Sequence, residues 1–280
     1  MMNFDLELIL VIGTVVTGVI VILDKLIFAE KRRKHVMNKV YDAKFGSGGD
    51  GREHTKDEYK EPWYIDYSKS FFPVLIIVLI LRSFVTEPFR IPSGSMMPTL
   101  LHGDFILVNK FTYGLRMPVL HNLFWGNGLP ERGDVIVFRY PKNPALDYIK
   151  RVVALPGDRI EYTNKVLYIN GHVMAQVDLG KYLGNGRDSS MNGAERKSEK
   201  LFSVDHEILV NDRRYPVNGS WVVPEGHYVV MGDNRDNSND SRFWGAVPEE
   251  NLVGKAFMVW MNWDISAGQF DFRRIGKQIH

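Results

Sequence analysis

The sequence predicts a mostly β protein: an antiparallel β domain, built as two sheets or a distorted barrel, preceded by two transmembrane α-helices. Three observations predict it. Leu8–Leu23 is an unbroken apolar run at the amino end. A second apolar run spans Ser70–Leu81. From about Leu100 the chain turns into short β-branched and aromatic runs separated by Gly, Pro, Asn and Asp, with no long helical periodicity.

The first run, with Leu26, Ile27 and Phe28, approaches the roughly 20 residues that cross a bilayer. It is preceded by Asp5 and Glu7 rather than by basic residues, and no small-residue cleavage site follows, so it reads as an anchor and not a leader. Lys25, Lys31, Arg32, Arg33, Lys34, Lys39 and Lys44 come directly after it. Lys and Arg beside a span favour the cytoplasmic side, which puts the amino terminus outside. Phe45–Arg52, Gly- and Ser-rich, reads as a linker, and the charged residues to Glu61 read as solvated. Trp63, Tyr64 and Tyr67 read as an aromatic belt at a membrane surface. The second run becomes long enough to cross if Ser83–Val85 are added and Lys69 and Arg82 snorkel outward at its two ends. The expected layout is therefore a first span over 1–29, a basic cytoplasmic loop over 30–69, a second span over 70–86, and an external β-rich domain over 87–280.

Within that domain Phe105–Asn109, Asp134–Tyr140, Tyr148–Leu155, Arg159–Tyr162, Val166–Asn170, Val229–Met231 and Ala256–Trp260 read as strands. An insertion is expected around 171–220. Its polar part, Val173–Asp205, reads as an insertion or a mobile surface segment between Ile169–Gly171 and the later strands. Trp260, Trp263, Phe270 and Phe272 are read either as resting on the bilayer or as ordinary core.

Of the 280 residues, 45% are hydrophobic and 24% charged, and the net charge of +2 is too even to point to nucleic acid. There is no cysteine, which excludes disulfides, thiolate chemistry and Cys-based metal sites. No motif for a metal or an organic cofactor is present.

Phe89–Leu100 is the stretch on which the chemistry turns. Pro92 and Pro98 rule out a regular helix and hold Ile91 and Met97 extended. Gly94 permits close approach between Ser93 and Ser95. A Ser-Gly-Ser taken alone reads more simply as a turn. A serine nucleophile needs a base. None of the eight histidines sits in a segment that reads like a triad partner, although triad members scatter along a chain and a Ser-His-Asp arrangement stays open. A lysine serves instead when burial keeps it neutral near pH 7. Lys150, in Asp147–Asp158, lies in an apolar strand and meets that requirement. Strand alternation sends Lys150 and Arg151 to opposite faces, one expected in water and one inside. The patch Met231–Arg242 fails as an EF-hand, because Ser241 and Val247 stand where Gly and Glu are needed. It reads better as a hydrogen-bonded knot pairing Asp240 with Arg242 and leaving Ser238 to orient an amine.

Phe89–Leu100, Arg132–Pro141, Tyr148–Asp158 and Gly232–Arg242, in that order and after two membrane segments, resemble the motif set of bacterial type I signal peptidase, or leader peptidase. The resemblance covers most of the chain. It implies a membrane-bound serine endopeptidase that removes signal peptides after small residues in an A-x-A-like pattern. It implies Ser95 as nucleophile, Lys150 as general base, the Ser95 N–H and Ser93 hydroxyl as oxyanion hole, and Ser238, Asp240 and Arg242 in support. Phe89, Ile91 and Ile149 match the substrate pocket, with substrate docking as an added strand near Ser93 and Asp147–Ile149. Its implied partners are exported preproteins and phospholipid, with the secretion machinery nearby. Its implied location is the bacterial inner membrane, crossed more than once, with the catalytic domain on the periplasmic face. Two rival readings bear on the same residues. A penicillin-recognising Ser-x-x-Lys hydrolase is excluded because Pro98 stands three residues after Ser95. A membrane-tethered β-rich binding or scaffold protein without chemistry remains the alternative.

Overall fold

A computed structural model describes residues 6–45, 61–119, 122–126, 128–264 and 268–280. The expected linker after Phe45 lies outside them. The chain divides into two compact units, one up to Ser83 together with Pro118–Leu120, and one comprising the rest from Phe84 on.

The first unit is helical. Leu6–Leu23 is an α-helix that runs through a π-helical turn, Asp24–Phe28, into Ala29–Phe45. A second helix, Trp63–Ile80, continues as a π-helical turn over Leu81–Val85. Leu6–Asn38 and Trp63–Val85 contain stretches long and apolar enough to cross a membrane. The two helices meet through small residues. A β-carbon at Gly18 would stand 2.8 Å from Phe72, and one at Gly13 would lie 3.6 Å from Leu75. The second helix starts seven residues ahead of the apolar run, at Trp63, so Trp63, Tyr64 and Tyr67 form its exposed first turns. Lys69 does not snorkel away from the helix pair. It makes ion pairs with the buried Asp24 (3.0 Å) and with Glu61 (2.6 Å), and Arg32 reaches Asp24 at 2.5 Å.

The second unit is built on an open antiparallel sheet, with no closed barrel. Its strands lie side by side in the order Thr86–Arg90, Asp104–Asn109, Leu252–Asp264, Val135–Tyr140, Asn143–Ala154, His227–Met231 and Val247–Pro248, with Gln269–Phe270 added beside Leu252–Asp264. Val135, Ile136, Val137 and Phe138 are all buried, as a continuous apolar run in a central strand requires. Asp104–Asn109 instead alternates buried and half-buried residues. A second sheet orders Gly219–Val222, Arg159–Thr163, Val166–Ile169 and His172–Val173. Its two hairpins turn at Asn164-Lys165 and Asn170-Gly171, all four with positive φ, the backbone that two-residue primed turns demand.

The insertion is not a mobile polar segment. Gln176–Lys181, Glu195–Leu201 and Val204–Val210 form a three-stranded antiparallel sheet. Its polar composition hides the strands, because the acid that anchors the sheet is buried against a partner elsewhere in the chain. Glu199, fully buried, is bound by both terminal nitrogens of Arg235.

Candidate active site

Ser95 sits in a single 3-10 turn, Gly94–Met96, entered through an extended Ser93 (φ −127°, ψ 153°) and left through an extended Met97 (φ −63°, ψ 141°). Met97 is extended as the residue before Pro98 must be. The turn is fixed from behind by Asn234. Its side-chain amide donates to the Gly94 carbonyl (2.9 Å), and its backbone N–H donates to the Ser95 carbonyl (3.1 Å). Both peptide planes flanking the Ser95 Cα are therefore held by one buried residue. Because a trans peptide sets N–H opposite C=O, tying back the Gly94 carbonyl aims the Ser95 N–H the other way.

Lys150 Nζ lies 2.8 Å from Ser95 Oγ, as donor in this arrangement, and also donates to the Ile149 carbonyl at 2.7 Å. Ser95 is 9% exposed and Lys150 4%. Burial lowers the Lys150 amine to about 8, against the opposing pull of the Asp240 and Asp233 charges. The Tyr148 ring lies 5.6 Å from the amine and helps shield it. Ser95 Oγ has one other neighbour within reach, Ser93 Oγ at 3.4 Å. No histidine hydrogen-bonds Ser95 among the described residues, so the Ser-His-Asp arrangement left open by the sequence has no geometric support.

Arg151 corrects the expectation that one of the two neighbours faces water. It is fully buried too. On the opposite face its Nε and Nη2 bind the two oxygens of Asp233 at 2.9 and 2.8 Å, and Nη1 donates to the Gly133 carbonyl at 2.7 Å. The strand is covered on both faces, and a buried guanidinium is tolerated because a carboxylate pairs with it. Thr99, just beyond the Gly94–Met96 turn, donates to the same Asp233 at 2.5 Å. The Arg151 and Thr99 contacts hold the Asp233 carboxylate below the usual range although burial opposes the charge.

The knot at 231–242 has the expected pair. Arg242 Nε and Nη2 donate to Asp240 at 2.8 Å each, and the Gly232 N–H adds a third bond at 2.9 Å. Burial works against the Asp240 charge, but these bonds hold its carboxyl below the usual range. Ser238 is brought to the site, although it makes neither of the hydrogen bonds of Lys150. Its Oγ is buried beside the Asp240 carboxylate, which its hydroxyl helps to hold charged. Gly232 makes room for it. A β-carbon there would stand 2.2 Å from Ser238 Oγ and 2.5 Å from the Ser95 carbonyl oxygen. The sequence reading missed Gly232, Asp233 and Asn234. The available signal was their position inside a patch already singled out, directly after the strand His227–Met231.

Phe89, Ile91 and Ile149 pack into one apolar cluster, Ile91 buried and the other two half-buried. Upstream of Arg151, the strand Asn143–Ala154 pairs with Val135–Tyr140 on one side only. Val152 directs its N–H and carbonyl toward Val135–Tyr140, so by alternation Asp147 and Ile149 direct theirs to the unpaired edge.

The comparisons with known proteins define the class first. The family profile described as signal peptidase, peptidase S26, matches residues 64–263, most of the chain, and makes this a serine-type peptidase. A signal peptidase I from Pseudomonas fluorescens is 50% identical over 94% of both chains. A signal peptidase I from Pseudomonas aeruginosa is 46% identical, again over 94% of both. The crystal structure of a signal peptidase I from Enterococcus faecalis is 31% identical, covering 45% of this chain and 96% of that one with a TM-score of 0.29. This chain belongs to the S26 family of signal peptidases.

Proposed function

We propose that the protein removes amino-terminal signal peptides from exported preproteins, with Ser95 as nucleophile and Lys150 as general base. The observation that carries this reading is the 2.8 Å separation of Ser95 Oγ and Lys150 Nζ, both buried. Neutral Lys150 takes the hydroxyl proton as Oγ attacks the scissile carbonyl. It then delivers that proton to the departing amine. The developing oxyanion is met by the Ser95 N–H, aimed by the Asn234–Gly94 bond, and by the Ser93 hydroxyl. Ser238, Asp240 and Arg242 keep the surroundings of the amine in place. With burial lowering the amine to about 8, a neutral Lys150 is within reach near neutral pH.

The substrate docks as a strand on the unpaired edge at Asp147 and Ile149, placing its small residues over Phe89, Ile91 and Ile149. Ile149→Ala enlarges that floor and is expected to relax the residue preference at the cleavage site; an unchanged preference in a panel of preproteins contradicts the assignment. The two apolar helices anchor the enzyme in the bacterial inner membrane, with the β unit on the periplasmic side. Trp263, Phe270 and Phe272 stack in series and stay 37%, 51% and 76% exposed, which suits contact with lipid better than core packing.

The test is cleavage of a preprotein by the full chain in detergent. Ser95→Ala is expected to abolish it and Lys150→Ala to lower it by about 10²–10⁴-fold, both with native circular dichroism. Retained cleavage by either variant contradicts the dyad, and an inactive wild-type chain favours the scaffold alternative.

A further inference from the structure

We propose that His102, clamped by Asp188 of the insertion, is a positioning residue for Ser95. The proposal rests on Ser95 being the nucleophile. Gly94, the residue before Ser95, is closed on one side by Asn234 and on the other by His102. A β-carbon at Gly94 would stand 2.8 Å from His102 Cε1 and 2.8 Å from Met97 Sδ. The imidazole therefore lies directly against the Gly94 backbone. It is not free to move away. Asp188 Oδ1 is 2.7 Å from His102 Nδ1 and also takes the His102 backbone N–H at 3.2 Å. Asp188 is itself buried, in the 3-10 segment Gly186–Met191 between two strands of the insertion.

The same face is sealed by apolar contact. Met97 and Leu101, flanking the nucleophile turn, pack with Tyr182, Met191 and Leu209 of the insertion. The insertion also grips the other wall of the site, where the Leu209 N–H donates to the Asp233 carbonyl at 2.9 Å and Glu199 binds Arg235. The inserted sheet thus forms the rear support of the catalytic loop, and the Asp188–His102–Gly94 contact is its point of action. A peptide that must keep its N–H on a developing oxyanion tolerates little slack, since a shift of about 1 Å costs on the order of 10²-fold in rate.

The test uses the full chain in detergent and a preprotein with an Ala-x-Ala cleavage site. Kcat, KM, the pH profile and Tm are measured for four variants. His102→Ala and Asp188→Ala are expected to lower kcat by about tenfold or more at a temperature where both are folded, beyond what a modest fall in Tm explains, leaving KM and the apparent pKa unchanged. Asp188→Asn keeps an oxygen acceptor for both bonds and is expected to restore kcat to near wild type. His102→Asn keeps a donor near the Nδ1 position but withdraws the ring from Gly94, so it is expected to stay slow. Wild-type kcat in His102→Asn or His102→Ala overturns the proposal. So does a loss that merely follows a lower Tm, or one accompanied by a shifted apparent pKa, which would mean action through Lys150. If His102→Ala does not fold, His102→Asn decides. Cleavage by Ser95→Ala would instead overturn the nucleophile assignment, a separate failure.

Discussion

Gly232 is the residue at which one carbon atom matters most. It lies between Ser238 Oγ and the Ser95 carbonyl, and both would be closer than any contact a β-carbon makes. Gly232→Ala must displace both, and the Gly94–Met96 turn is the neighbour that counts for the proposed chemistry. The expected result is a fall in kcat of about 10²-fold or more, measured on a preprotein at a temperature where the variant is folded, with an overpacking cost of about 1–3 kcal/mol in stability. At this scale the sequence showed much. It singled out a lysine in an apolar strand, a serine between prolines and the Asp240–Arg242 pair, because each needs only local chemistry. It did not show that Lys150 and Arg151 are both buried, since that depends on Asp233, a carboxylate 82 residues further along the chain.

The element that joins these residues is the strand Asn143–Ala154, which presents Lys150 to Ser95 on one face and Arg151 to Asp233 on the other. Arg151→Ala leaves the Asp233 carboxylate buried without its main partner. The expected cost is roughly 3–5 kcal/mol of stability, read from denaturant unfolding, with kcat retained at a temperature where the variant is folded. Loss of cleavage without loss of stability would show that Arg151 acts on the chemistry instead. The long strands were legible at this scale, because alternation or unbroken β-branched runs mark them directly, while short ones such as Gly219–Val222 and Val247–Pro248 carry too few residues to show a pattern. The inserted strands were not. Glu195–Leu201 reads Glu-Arg-Lys-Ser-Glu-Lys-Leu, and its one deeply buried acid, Glu199, is explained only by Arg235 from a distant loop. The start of the second helix was missed for a related reason: Trp63–Lys69 is too polar to look like part of a span, although Asp24 and Glu61 give Lys69 its partners.

For the whole molecule, the proposed arrangement puts the basic helix Ala29–Phe45 in the cytoplasm and the β unit outside. The chain has no cysteine, so single introduced cysteines report cleanly on sidedness. Asp178→Cys in the inserted sheet is expected to react with an impermeant thiol reagent added outside spheroplasts, and Lys34→Cys only after lysis; the reverse pattern contradicts the topology. Burial of the base is likewise a property of the assembled protein. The strand Asn143–Ala154, the turn Gly94–Met96 and the knot 231–242 must all be in place to keep water from the amine. The pH dependence of kcat/KM for the wild-type enzyme therefore tests the central claim most directly. Burial lowers Lys150 from its ordinary 10.5 to about 8. Below that pH the amine carries a proton and cannot accept another, and above it the base is free. The predicted result is a rate that falls about tenfold for each pH unit below roughly 8 and levels off above it. A rate that holds steady down to pH 5 would contradict an uncharged lysine as the base.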